Sequence, residues 1–333
     1  LRNSLDLAAL GTVADVVPLL DENRIITYHG LKVMNDKPRL AIQVLKSLKK
    51  VETITSRTLA FQFGPLLNAS GRLKDADMAV RFLLSNDRQE AEKMAQILDA
   101  TNAERREKES EMIQTALKLV DEQKNNPALI LVSPEFHEGI NGIVATRLVE
   151  SFYKPVLILS ENEGKLKGSG RSIPELNLKE VLSDCSDLLE RFGGHAAAAG
   201  CSLIQERFVA FRDRFIGLCN ERLPSLIVPK LQLDGEIDYP ELNEQFMEQL
   251  NRLQPFGEGN PEPLFSVNTP ESPFTSLKQK HVKWKLNGNV EIIGWNCSET
   301  FTNSLPSQLA VNLGFNEFRG HRSIQLTIQD TLI

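Results

Sequence analysis

Two polar, glycine-rich segments near the middle of this 333-residue chain carry side chains suited to holding a phosphate. They are Gly168-Ser-Gly-Arg-Ser172 and Gly193-Gly-His-Ala-Ala-Ala-Ala-Gly200, about twenty residues apart. Glycine lets the backbone approach a ligand closely, while Ser, Arg and His supply hydrogen-bond donors. Because each segment has its own phosphate-competent side chain, we expect two loops that serve one phosphorylated substrate.

Three side chains in these segments are the candidate ligand contacts. Arg171 offers a planar fork of donors and Ser169 a hydroxyl, while neighbouring glycines leave backbone N–H groups free. The alternative is an ordinary exposed loop arginine. His195 follows Gly193 and Gly194 and precedes four alanines, so the imidazole is the one long polar side chain there. Its alternative is a structural histidine near a helix start.

A candidate metal ligand, Asp15, ends an apolar stretch near the beginning of the chain, in the run Gly11-Thr-Val-Ala-Asp15. Carboxylates that bridge divalent cations are the ligands that two-metal phosphodiester hydrolysis requires. The alternative is a carboxylate that caps the next turn. Asp6 is a weaker candidate because it precedes the apolar run, and its alternative is an ordinary surface residue.

A second polar segment, Phe63–Leu73, interrupts helical patterns that run to about residue 85, and we expect it to be a loop. Arg72 at its tip is a candidate contact for a backbone phosphate. Asn68 and Ser70 are either ligand contacts or helix caps. His137, in the run His137-Glu-Gly-Ile-Asn-Gly-Ile-Val-Ala-Thr-Arg147, is a candidate lining residue in a segment whose glycines permit close packing.

The remaining pattern predicts an α/β protein with a β-rich end. Residues 87–124 contain neither Gly nor Pro and are rich in Glu, Lys, Arg, Gln and Ala, which predicts one long helix that ends at Asn125-Asn-Pro127. Strands at 128–132 and 155–159 alternate with helices at 142–152, 177–190 and 206–221. A linker follows at 223–229, and the pattern after it predicts a small β-barrel. The barrel would consist of short strands at 230–237, 263–268, 281–286, 289–295, 309–315 and 321–329, with a helix at 241–252 and a turn at Asn287-Gly-Asn289.

Four lysines surround Trp284 in the β-rich end. Strand periodicity places Val282, Trp284 and Leu286 on one face and Lys283 and Lys285 on the other, so Trp284 is expected in the core. The lysines form either a basic track for single-stranded nucleic acid or a plain solvated face. The track comprises Lys278, Lys280, Lys283 and Lys285, with Arg319, His321 and Arg322 as its extension.

Composition sets the outer bounds. The chain is 41% hydrophobic and 25% charged, and no apolar run approaches the roughly 20 residues that span a bilayer. Its four cysteines form no C-x-x-C pair, which argues against a structural zinc site and predicts a cytoplasmic location. The net charge of −6 leaves a local basic groove for nucleic acid open. Because the chain opens on Leu-Arg-Asn-Ser-Leu-Asp, without methionine, we expect it to be a fragment.

Several motifs in order resemble those of the RecJ exonucleases of the DHH phosphoesterase superfamily. Besides the runs already quoted, they are Leu10-Gly-Thr-Val-Ala-Asp-Val-Val-Pro18, Gly64-Pro-Leu-Leu-Asn-Ala-Ser-Gly-Arg-Leu73, Arg191-Phe-Gly-Gly-His195 and Pro255-Phe-Gly-Glu-Gly-Asn-Pro261. No Asp-His-His triplet, the superfamily's metal-binding signature, occurs in the chain. The resemblance therefore implies a chain that starts just before the last metal motif and is inactive or nearly so by itself.

The resemblance also implies an architecture and a set of roles. The expected domains are the end of a DHH catalytic domain at 1–86, a connecting helix at 87–125, a DHH-associated substrate-binding domain at 126–223 and an OB-like nucleic-acid-binding domain at 228–333. Asp15 would bind Mn²⁺ or Mg²⁺, Arg171 a phosphate near the 5′ end, and His195 would face the scissile phosphate.

The implied activity is 5′-to-3′ hydrolysis of single-stranded DNA in repair and recombination, with a single-strand-binding protein or a helicase as candidate partners and no membrane. A nanoRNase or cyclic-dinucleotide phosphodiesterase of the same superfamily, and a non-catalytic DNA-binding homologue, are the alternatives.

Overall fold

The computed structural model describes residues 4–73, 75–225, 227, 229–286, 289–303, 305–318 and 321–332. The chain forms two compact units. The first consists of Leu1–Lys37, Glu52–Gln62 and Lys230–Ile333, and the second of Pro38–Val51 and Phe63–Pro229. Within the described ranges, no helix has the length and apolar character needed to cross a membrane.

The helices and strands follow the chain in a mixed order. The α-helices are α1 (Leu5–Ala14), α2 (Asp21–Asp36), α3 (Leu40–Lys49), α4 (Ser56–Thr58), α5 (Gly64–Leu73), α6 (Asp77–Leu84), α7 (Arg88–Val120), α8 (Glu138–Phe152), α9 (Leu178–Ser183), α10 (Phe208–Arg222), α11 (Glu244–Asn251) and α12 (Ser298–Asn303). A π-helical segment, Leu59–Phe63, leads directly into α5. The strands are β1 (Leu129–Ser133), β2 (Val156–Asn162), β3 (Lys165–Arg171), β4 (Arg191–Gly194), β5 (Ala198–Ile204), β6 (Gly235–Glu236), β7 (Leu264–Asn268), β8 (Thr275–Leu277), β9 (His281–Leu286), β10 (Val290–Gly294), β11 (Gln308–Phe318) and β12 (His321–Leu332).

The second unit is built around a five-stranded sheet in the order β1-β2-β3-β5-β4. Strands β1 and β2 are parallel and connected through α8, and the other pairs are antiparallel. Alternate residues of β1 point to opposite faces of the sheet. Leu129 and Leu131 join a core with α7 and α8, whereas Ile130 joins a core with α9 and α10. Both faces of the sheet are therefore covered by helices.

The first unit contains a seven-stranded sheet in the order β6-β7-β11-β12-β10-β9-β8, together with α1, α2 and α4. Its core includes Trp284, which is 1% exposed and packs against Phe274 and Phe301 at 5.4 and 5.3 Å between ring centroids. The prediction that Trp284 is a core residue is confirmed. The predicted turn at Asn287-Gly-Asn289 includes Asn287 and Gly288, which lie outside the described residues.

Three segments expected to be loops contain regular structure instead. Residues 64–73 form α5, and residues 168–171 form the end of β3. Of the segment 193–200, residues 193–194 end β4 and residues 198–200 begin β5, which leaves only a short turn between them. In β3 the glycines are imposed by packing, because a Cβ on Gly168 would lie 1.9 Å from the Ile158 carbonyl oxygen. Tertiary contact thus overrides the low strand propensity of glycine. The predicted long helix exists as α7, but it ends at Val120, before Asn125.

Candidate functional site

Two of the predicted phosphate contacts, Arg72 and Arg171, lie together at the first turns of α8. Arg72, in the last turn of α5, donates from Nη1 to the Gly139 carbonyl oxygen at 3.2 Å. Arg171, the last residue of β3, has its guanidinium beside Gly142, where an added Cβ would lie 2.9 Å from Nη2. Glycine at 139 and 142 therefore provides the space in which the two arginines approach the helix. The close packing predicted for the glycines of this segment thus includes contact between Gly139 and the end of α5.

The electrostatics show how close these cations are to one another. Partial burial lowers the pKa of Arg72, and repulsion from Arg105 lowers it further, while the Glu109 carboxylate opposes both effects. Burial also lowers the pKa of Arg171, with Arg72 as the second cause. Arg105 donates to Glu109 from Nη1 at 2.8 Å. Arg72 thus lies near two other guanidinium groups, those of Arg105 and Arg171. The Glu109 carboxylate that opposes this charge also pairs with Arg147 at 3.8 Å, so an anion would relieve the remaining repulsion.

The two glycine-rich segments meet in the same sheet. Strand β3 pairs with β5, and β5 pairs with β4, so that Arg171 lies opposite Ala198 and Gly193 lies opposite Gly200. The chain between β4 and β5 is a tight turn in which the His195 N–H donates to the Ala198 carbonyl at 2.8 Å. Gly194 at its start has φ 140°, a conformation that favours glycine. His195 is exposed at this turn, which excludes the alternative of a histidine at a helix start.

The turn is fixed by backbone hydrogen bonds from the segment that follows β3. The Ser172 N–H donates to the Ala197 carbonyl and the Leu178 N–H to the Ala196 carbonyl, each at 2.9 Å. Ser169 lies two residues before Arg171 in β3, so both side chains are on the same face of the sheet. One end of the sheet therefore carries Arg171 together with the turn that holds His195.

The other predicted residues of this unit have mixed positions. Asn68 is exposed on α5, whereas Ser70 is 3% exposed and donates to the Leu67 carbonyl at 3.0 Å, so neither caps the helix. His137 is the N-cap of α8, and its Nδ1 accepts from the Gly139 N–H at 3.1 Å. It also lines a cavity of about 460 Å³ whose wall includes Lys108, Glu111 and Thr115.

Asp15, in the first unit, occupies a locally unfavourable position. It is the exposed C-cap of α1, where the negative end of the helix dipole repels a carboxylate. The next residue, Val16, is β-branched yet has φ 55°, and its side chain is 66% exposed. Strained backbone of this kind persists where the surroundings impose it and is concentrated at functional sites. Asp6 is 2% exposed, which excludes the alternative of an ordinary surface residue, and its Oδ1 accepts from the Leu7 N–H.

The metal pair that the resemblance implies does not fit the described residues alone. In those ranges, no group of three or more His, Cys, Asp or Glu side chains is arranged to hold a metal ion. Asp15 by itself cannot hold two cations.

The lysine row of the β-rich end is only partly available to a ligand. Lys278, Lys280 and Lys285 are exposed. Lys283, by contrast, forms an ion pair with Glu291 at 2.8 Å, and both side chains are mostly buried. Arg322 lies over the Phe315 ring at 3.5 Å, and Arg319 lies outside the described residues. The exposed basic track is therefore shorter than the sequence predicts.

Arg105 and Glu109 were missed by sequence reasoning. Arg105 is 8% exposed although it lies in the middle of the long, highly charged α7. Spacing of four residues between an arginine and a glutamate is common on exposed helix faces, so the pair carried no signal of burial.

Comparison with known proteins identifies the families to which two segments of this chain belong. The DHHA1 domain family matches residues 125–221, and the RecJ OB domain family matches residues 233–330. The single-stranded-DNA-specific exonuclease RecJ of Dickeya dadantii is 38% identical over 99% of this chain and 61% of its own length. That of Bacillus subtilis is 34% identical over 99% of this chain and 44% of its own length.

A solved structure agrees with these matches. The crystal structure of RecJ in complex with Mn²⁺ from Thermus thermophilus superimposes with a TM-score of 0.87 at 33% identity, covering 99% of this chain and 49% of that one. This chain thus spans between 44% and 61% of the length of these two curated relatives. The chain is a RecJ homologue that consists in large part of a DHHA1 domain followed by a RecJ OB domain.

Proposed function

We propose that this chain is part of a divalent-metal-dependent exonuclease that hydrolyses single-stranded DNA in the 5′-to-3′ direction, in repair and recombination. The observation that carries the proposal is the closeness of Arg72 to the guanidinium groups of both Arg105 and Arg171. A terminal phosphate is a compact dianion, and arginine forks bind it through short, charge-assisted hydrogen bonds. RecJ relatives named for single-stranded DNA support the choice of substrate.

In this proposal the residues of the second unit bind and orient the strand end. Arg171 and Arg72 hold the 5′ phosphate, with Ser169 as an additional donor. Asn68, His137 and the backbone of Gly193 and Gly194 contact the neighbouring nucleotide. His195, held by its anchored turn, faces the scissile phosphate. Lys280 and Lys285 contact more distant phosphates, with Lys283 contributing less.

Metal use and partners belong to the same proposal. The RecJ neighbours of known structure are complexes with Mn²⁺ and with Mg²⁺, which supports a divalent cation as cofactor. Asp15 would supply one carboxylate to such a site and the rest of a longer enzyme the others. The chain alone is therefore expected to release no nucleotides from single-stranded DNA with Mn²⁺, and robust release by the purified chain would contradict this. A single-strand-binding protein or a helicase would deliver the substrate.

The test compares two strands that differ only at the 5′ end. Arg171→Ala should weaken binding of a 5′-phosphorylated oligonucleotide by about 1.5–3 kcal/mol, and the 5′-hydroxyl strand much less. Arg81→Ala is the matched control, because Arg81 pairs with Asp77 at 2.7 Å on the surface of α6 in the same unit. Equal losses on both strands would mean that Arg171 contacts another phosphate or none.

A further inference from the structure

A cavity of about 630 Å³ lies within the first unit, whereas the arginine cluster belongs to the second. Its wall is mostly apolar and includes Val16, Phe61, Phe256 and Phe315. Such a volume is typical of pockets that hold small organic ligands. Asp15, the proposed metal ligand, is not itself a wall residue, but its two neighbours in the chain, Ala14 and Val16, are.

Phe61 in this wall is displayed to solvent by an unusual helical geometry. It is the central residue of the π-helical segment Leu59–Phe63, in which Leu59 and Phe63 are fully buried while Phe61 is 73% exposed. Short π-helical insertions are frequent at functional sites. The strained Val16, 66% exposed at positive φ, is a second apolar side chain that the backbone holds in water at this wall.

Charged groups stand next to these apolar surfaces. The Arg57 guanidinium lies 5.6 Å from the centre of the Phe61 ring and 3.9 Å from the Glu262 carboxylate. The Arg57 side chain is 80% exposed, so it is accessible to a further anion. Glu262 is also a wall residue, and its burial raises the pKa of the carboxyl group, an effect that Arg57 opposes.

We propose that this cavity receives one unstacked base of the single-stranded DNA, with Phe61 as its stacking surface and Arg57 on an adjacent phosphate. Aromatic stacking beside a cation is how single-strand-binding surfaces tolerate any base sequence. The Glu262 carboxyl group is an acceptor for the amino groups on base edges. The inference rests on the proposed function and extends it, because the base would belong to a nucleotide near Asp15.

A protein segment or a second copy of this chain is the competing occupant of an apolar surface. The observations favour a nucleotide. The exposed Arg57 guanidinium lies 5.6 Å from the centre of the Phe61 ring, within reach of a phosphate next to a base stacked on that ring. Wall residues of the cavity also flank the proposed metal ligand in the chain.

The experiment titrates the 333-residue chain with two strands of equal length and charge. One is an oligothymidylate with a single internal 2-aminopurine, and the other is abasic at every position. Phe61→Ala should weaken binding of the base-containing strand by about 5- to 150-fold and abolish the change in 2-aminopurine fluorescence. Binding of the abasic strand should be unchanged, and Phe61→Trp should restore stacking.

Tyr28→Ala is the matched control, since Tyr28 is an aromatic residue of the same unit, 56% exposed on α2 and outside the cavity wall. The inference is overturned if Phe61→Ala and Tyr28→Ala bind the base-containing strand as the parent chain does. It is also overturned if Phe61→Ala changes the oligomeric state in gel filtration while leaving DNA binding intact. Failure of the parent chain to bind either strand would refute the proposed function itself, which separates the two failures.

Discussion

Replacing Gly142 with alanine tests whether the position of the Arg171 guanidinium, rather than its charge alone, is what recognises the terminal phosphate. The new Cβ would lie 2.9 Å from Arg171 Nη2, whereas uncrowded heavy atoms approach to about 3.5 Å or more. The guanidinium must therefore move by at least about 0.6 Å. Complete loss of such a hydrogen bond costs about 1.5–3 kcal/mol, so we expect displacement to weaken binding of the 5′-phosphorylated strand by about 3- to 10-fold.

In Gly142→Ala the free energy of unfolding should stay nearly unchanged although binding of the 5′-phosphorylated strand is weakened. Alanine is favoured over glycine inside a helix by about 0.8–1 kcal/mol, and moving a side chain off its rotamer costs about 0.5–1.5 kcal/mol. The net change in the free energy of unfolding is then close to zero. Gly139→Ala is the contrasting variant, because its Cβ would lie 2.2 Å from the Arg72 carbonyl oxygen. The Arg72 backbone cannot rotate out of the way as a side chain can. The steric clash should therefore lower the free energy of unfolding by about 1–3 kcal/mol.

Urea denaturation measures stability, and fluorescence anisotropy with 5′-phosphate and 5′-hydroxyl strands measures recognition. The reasoning is refuted if Gly142→Ala retains the parent ratio of affinities for the two strands. It is equally refuted if Gly142→Ala is destabilised as much as Gly139→Ala, because that would mean that the helix and not the arginine absorbs the added methyl group.

Three further predictions concern other parts of the chain. Asp15→Asn should raise the free energy of unfolding by about 0.3–1 kcal/mol, because it removes a carboxylate from the end of α1. In a longer RecJ enzyme the same change should abolish activity while DNA affinity is retained. Lower stability in urea, or normal turnover, would contradict this prediction. Neutralising Lys278, Lys280 and Lys285 should reduce the slope of log K against log salt by about 0.7 for each phosphate that the variant no longer binds. Adding Lys283→Gln should change this slope little, because Lys283 pairs with Glu291. Identical slopes for the parent chain and the triple variant would show that these lysines do not contact the DNA. Burial raises the pKa of Cys201 and Cys219 to about 12 and that of Cys185 to about 11. The folded state holds these protons more tightly than the unfolded state, so stability should fall as pH rises above about 9, and alkylation at neutral pH should require unfolding.

The local sequence pattern was sufficient to predict those elements in which polar and apolar side chains follow a single helical or strand periodicity. A stretch without Gly or Pro and rich in helix-forming residues predicted α7, and strict alternation placed Trp284 in the core and Lys285 at the surface. The ordered motifs predicted the RecJ family, and the family matches are in agreement.

The site itself depended on contacts between distant parts of the chain. Gly168–Arg171 is a strand because β2 and β5 pair with it on both sides, which no local propensity for Gly-Ser-Gly-Arg would predict. Arg105 is part of the cluster because Glu109 pairs with it in a buried position and Arg72 lies close enough to repel it. Burial and charge proximity are properties of three-dimensional packing. A sequence that suggests the residue types of a candidate phosphate site therefore leaves their number, spacing and electrostatic balance to the tertiary structure.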